Sequence, residues 1–175
     1  MPQTALALLG IVLASVLMLN QSRSGIWTER QTESAEIQAL ASEIAMARLA
    51  VLETMPYDQA VVGGTASAPN DLTLLVGTTF TPSGADAPGD DLDDANGESA
   101  ETTHQVRQGD SGGTPGGVRM RTSVGVIYVE ESDGVTPSGD RTRFKRATVT
   151  VEPVDGAAEP VVLTQLFSCG SFCTW

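Results

Sequence analysis

Between Pro2 and Pro56 the chain contains no proline, and its polarity changes once along the way. From Ala5 to Leu19 there is no charge and nothing more polar than Ser15. From Gln21 to Met55 the pattern is amphipathic, and the junction Asn20–Gly25 holds a single glycine. The expectation is one uninterrupted helix. Some fifty helical residues would span roughly 75–80 Å, more than a small domain can bury on its own. Such a rod needs surroundings other than its own chain.

The apolar part falls between a signal-peptide core and a full membrane span of about 20 residues. Met1-Pro2-Gln3-Thr4 carries no side-chain charge, and the residues after Leu17 offer no Ala-X-Ala-like cleavage site. The segment is therefore expected to be retained. Arg23 and Arg30 follow it and nothing basic precedes it. Taken alone, that asymmetry would keep the rest of the chain in the cytoplasm, unless a short basic leader is removed before Met1. Trp27, with an arginine about a turn to either side, reads as an interfacial anchor or as a packed aromatic.

Beyond the apolar part, Ile37, Leu40, Ala41, Ile44, Ala45, Val51, Leu52 and Met55 recur at steps of three and four, giving one stripe. Met55-Pro56-Tyr57-Asp58 ends the helix, because the residue before proline is pushed out of the α region. About 120 residues remain, enough for one small domain. Val61–Asn70 reads as loop and Leu72–Val76 as a first short strand. Thr81–Gly117, rich in Gly, Pro, Asp and Ser, reads as a long exposed excursion. Val118–Val129, Thr142–Val151 and Val161–Phe167 alternate or are β-branched, and they predict strands of an antiparallel meander. The fold class expected is α+β: a long N-terminal helix, apolar then amphipathic, packed on a small antiparallel sheet. The segments are 1–25, 26–58, 59–117 and 118–175. Ile37, Leu40, Ile44, Val51 and Leu52 are the expected helix-to-sheet contacts.

Net charge is −12, from 22 acidic against 10 basic residues, and Lys145 is the one lysine. Nucleic acid is therefore an unfavourable partner. A salty habitat would also favour so acidic a surface. Cys169 and Cys173 suit a small disulfide-closed loop in an oxidising compartment, in preference to free thiols; a zinc site lacks ligands, since His104 is the one histidine. Gly109–Gly113 (GDSGG) matches the run around the nucleophile of trypsin-like proteases, but the strands of two barrels are missing, so no enzyme is expected. Asp86, Asp90, Asp91, Asp93, Asp94 and Glu98 form an acidic cluster that could hold Ca²⁺; a solvated loop is the favoured reading. No cofactor and no metal are expected.

The order of these pieces resembles type IV pilins and the pilin-like proteins of type II secretion. The resemblance rests on the apolar helix, then Ala41–Leu49 leading to Met55-Pro56-Tyr57-Asp58, then Arg143–Val151 and Glu159–Thr164 as a strand pair. It covers roughly residues 1–58 and 118–167. The family carries a glutamate at the fifth mature position, where this chain has Ala5. The resemblance implies a structural subunit of an extracellular filament that polymerises through Ala5, Leu6, Leu9, Gly10, Leu13, Val16 and Leu17. Its partners would be copies of itself, other pilins and an assembly machine. The finished filament would stand on the cell surface and the precursor in the cytoplasmic membrane. Two other readings stay open: a minor pilin or pseudopilin that primes or caps a fibre, and a membrane-anchored extracytoplasmic domain that does not polymerise.

Overall fold

The computed structural model describes residues 2–75, 91–105, 117–156, 158–170 and 173. The fold is α+β, a helix packed on a four-stranded antiparallel sheet. Helix α1 runs Pro2–Thr54 and ends where Pro56 forbids its continuation. Among the described residues no helix is long and apolar enough to cross a membrane. A short helix α2, Gln59–Val62, follows, and Pro69–Asp71 forms a 3-10 turn.

The strands are β1 (Ser99–Gln105), β2 (Gly117–Tyr128), β3 (Phe144–Pro153) and β4 (Val161–Ser168). They pair in sequence order, each antiparallel to the next. The three strands expected from alternation appear within two residues of their expected ends. Two expectations need correction. Leu72–Leu75 is not a strand: Thr73 N donates to Asp58 Oδ2 at 2.8 Å and Thr73 O accepts from the Tyr128 hydroxyl at 2.8 Å, so side chains replace a ladder partner. Conversely β1 lies inside the stretch read as an exposed excursion. Its residues are almost all exposed, so it shows no apolar alternation; the Arg121–Glu101 ion pair and the β2 ladder hold it.

One face of the sheet is apolar, because strand side chains alternate. Met120, Val124 and Val126 of β2, Ala147, Val149 and Val151 of β3, and Leu163 and Phe167 of β4 cluster on it. From α1 they meet Ile37, Ala41, Ala45 and Leu52, which are buried, with Leu40, Ile44 and Leu49, and Met55 just past the helix, at the margin. Val51 corrects the expected stripe: it is 45% exposed. At about 100° per residue, burying both Leu52 and Val51 would require a wider face than this sheet covers. The turn at 91–97 closes the core from the side, with Leu92 and Ala95 buried in it. Leu92 N bonds Pro56 O at 3.0 Å, and Val126 N bonds Asn96 Oδ1 at 2.9 Å.

Candidate functional site

The buried face of β3 begins with a charge. Lys145 is in phase with Ala147, Val149 and Val151, so the strand's alternation turns it toward the core, where it is fully buried. The helix exit and the acidic turn converge on it. Lys145 Nζ donates to Tyr57 O at 2.7 Å and to Asp58 Oδ2 at 3.2 Å, and it lies 2.5 Å from Asp93 Oδ1. Two of the three ammonium protons thus have hydrogen-bond acceptors, and Asp93 Oδ1 makes a close ion-pair contact. The rings of Tyr57 and Tyr128 flank it, with centroids at 4.2 and 5.2 Å. The two hydroxyls point elsewhere, to Thr142 O and Thr73 O.

Asp58, Asp91 and Asp93 are all fully buried. This corrects the solvated reading of the acidic cluster for Asp91 and Asp93; Asp86 and Asp90 lie outside the described residues. The reason is compensation: a buried carboxylate is tolerated only with donors or an opposite charge. Asp58 caps α2, taking Ala60 N on Oδ1 at 3.0 Å, and takes Thr73 N on Oδ2. Asp91 takes Gln59 N on Oδ2 at 2.7 Å and Asp93 N on Oδ1 at 2.9 Å. Asp93 has the ion pair with Lys145, while its Oδ2 finds no partner among the described residues. Burial pushes its carboxyl up to about 8; Lys145 opposes that shift, and Asp91 and Asp58 add to it. Burial likewise raises both tyrosines far above their ordinary value, with Asp93 the next cause for each.

One carboxylate oxygen from each of Asp58, Asp91 and Asp93 lies within 4.8 Å of the others, a spacing that could hold a metal ion. The Lys145 ammonium already takes the cation's place there, and an added divalent ion would sit against it. The donor set therefore fits an amine better than a metal.

The other expected sites lie on the surface. Leu13, Val16 and Leu17 are 56–59% exposed, with Leu19 beside them, and Trp27 is exposed, not packed. The side chains of Ala5, Leu6, Leu9 and Gly10 lie outside the described residues. Cys169 and Cys173 are joined as a disulfide at the end of β4. His104 stands on β1, its Nε2 2.8 Å from the Thr102 hydroxyl; the Gly109–Gly113 run lies outside the described residues. The Lys145 centre was not anticipated from sequence. The available signal was a lone lysine in phase with three apolar residues of a strand.

Helix, meander and buried ionic centre together define a class, an α+β domain whose sheet is latched by a desolvated lysine to the segment that follows its helix. The chain matches no protein-family model, no curated protein and no solved structure.

Proposed function

We propose that this chain is a structural subunit of a pilin-like extracellular filament, built by packing the N-terminal parts of many α1 helices into a core. One observation carries the reading. Within a single helix, Ile37, Ala41, Ala45 and Leu52 are buried on the sheet while Leu13, Val16, Leu17 and Leu19 are left in water. Four neighbouring large apolar residues on a helix that ends in a folded domain need a cover. Copies of the same helix supply one, and a head-to-tail contact of this kind propagates as a helical polymer and does not close. Small residues at Ala5, Ala7, Gly10, Ala14 and Ser15 allow close helix approach. The pilin resemblance points the same way.

On this reading the β-domains form the outer layer, the finished filament stands at the cell surface, and the precursor keeps its apolar segment in the cytoplasmic membrane. The site needs no cofactor and performs no catalysis on an outside substrate. The test is electron microscopy of sheared surface material with mass spectrometry of its N-terminus. Filaments made mostly of this chain, with residues 5–19 retained, support the proposal. A soluble monomer with that segment removed overturns it. Filaments containing only traces of the chain would favour the priming or capping role.

A further inference from the structure

Amine and carboxylic acid do not condense spontaneously in water, because both are charged and water is the solvent. Three conditions lift that barrier: fixed contact between the groups, a dry site, and a group to carry the proton. The Lys145 centre meets all three. Nζ and Asp93 Oδ1 are 2.5 Å apart, and both side chains are fully buried. Two tyrosine rings wall the ammonium. A second carboxylate, Asp58, reaches the same Nζ at 3.2 Å.

The three carboxylates are not equivalent. Asp58 and Asp91 are held by backbone N–H donors on both oxygens. Asp93 has no backbone donor among the described residues, and its Oδ2 is buried without a partner. Burial also holds its carboxyl toward the neutral acid, the form with a hydroxyl that can leave. The groups facing it are Lys145 from β3, Asp58 and Tyr57 from the helix exit, Asp91 from its own turn, and Tyr128 from β2.

We propose that Lys145 and Asp93 condense to an intramolecular isopeptide bond, Nζ to Cγ, with Asp58 as the proton carrier. The balance is that of an amide condensation. One proton passes from the ammonium to the Asp93 carboxylate, leaving a neutral amine and a neutral acid. The Nζ lone pair adds to Cγ, and Asp58 Oδ2 takes a second proton from the nitrogen. Asp58 returns that proton to an Asp93 oxygen as the C–O bond breaks, and one water leaves. Nitrogen keeps one hydrogen, Asp58 ends as it began, and no oxidant or external reactant is involved. The single amide N–H keeps one of the two acceptors, Tyr57 O or Asp58 Oδ2, while the buried ammonium and the least satisfied carboxylate disappear. The bond ties the acidic turn to β3 covalently. It stands whether or not the chain polymerises.

The test is the intact mass of the full folded chain, with the Cys169–Cys173 disulfide accounted for. The expected mass is lighter than the sequence by one water molecule. Trypsin should then fail to cleave after Lys145 and should release peptide 49–107 joined to peptide 144–146. Asp93→Ala should restore the full mass and the cleavage, and Asp58→Ala should slow or abolish the water loss. A full sequence mass with free cleavage after Lys145 in the wild-type chain overturns the proposal. So does a water loss that maps to the Asp133-Gly134 or Asp155-Gly156 bonds, where it would mark a succinimide. An unchanged bond yield in Asp58→Ala, or in Asp58→Asn should the alanine variant not fold, overturns the assignment of the proton carrier.

Discussion

Lys145 donates to the carbonyl oxygen of Tyr57 at 2.7 Å while its ammonium lies 4.2 Å from the centre of the same residue's ring. Tyr57 stands just past the end of α1, and Lys145 opens β3. A single side chain therefore fixes how the helix leaves the sheet. Arg48–Glu98 and Gln165–Glu53 make further links from α1, but both are at the surface and exposed pairs contribute little.

Lys145→Met keeps the length and apolar stem of the side chain but removes the nitrogen that Asp58 and Asp93 share, both the cation of the ionic contact and the atom of the proposed bond. Removing one partner of a buried ionic cluster typically costs about 3–5 kcal/mol, so the denaturant midpoint should fall sharply. A loss below about 1 kcal/mol, the scale of an exposed pair, would mean that the cluster is solvated.

Leu52→Ala and Val51→Ala are neighbours with opposite expectations. Leu52 is fully buried in the core, and its truncation should cost about 2–5 kcal/mol through lost burial and a residual cavity. Val51 is 45% exposed, and its truncation should change stability by about 0.5 kcal/mol or less. Equal losses in the two urea titrations would contradict the helix phase described above.

Asp133 should give the chain part of its acid sensitivity. It accepts from the Thr136 hydroxyl at 2.6 Å and from the backbone N–H groups of Val135 and Thr136 at 2.8 and 2.9 Å. These bonds, that from the Thr136 side chain first, hold its carboxyl at about 2, below the unfolded value of about 3.9. A carboxyl lowered in the folded state stabilises above the unfolded value, and that stability is lost as the pH falls toward 2. The difference in melting temperature between wild type and Asp133→Ala should be largest near neutrality and shrink between pH 4 and 2. A difference that stays constant over that window would show that Asp133 is not the group responsible.

Leu17→Asp should block filament assembly and leave the domain's unfolding transition unchanged, because Leu17 is 58% exposed and precedes Ile37, the first buried helix residue among those described, by roughly 30 Å of helix. Gly10→Leu and Leu13→Asp should do the same. Normal filaments from all three variants, seen by electron microscopy, would defeat the proposed assembly.

Much of the architecture was legible in local patterning. The proline at 56, the helical spacing of Ile37, Ala41, Ala45 and Leu52, and the alternation in β2, β3 and β4 each express a backbone period with one buried face. Such signals are readable because a few consecutive residues carry them. The edge strand β1 carries none, since almost all its side chains face water and its pairing is a property of β2. Val51 was misplaced because adjacent apolar residues on a helix leave the edge of the buried face open by one position.

The ionic centre was illegible for a different reason. Lys145 meets Asp58 and Asp93 across long loops, and nothing near any of the three residues signals the others. The phase of Lys145 on its strand hints at burial but names no partner, and each aspartate in isolation is a charge expected in water. Their burial follows from desolvation: once the sheet, the helix exit and the acidic turn close around them, the charges are tolerable only in contact with one another. Chain-local chemistry thus specified the elements, whereas which polar groups go inside was set by the packing that brings opposite charges together.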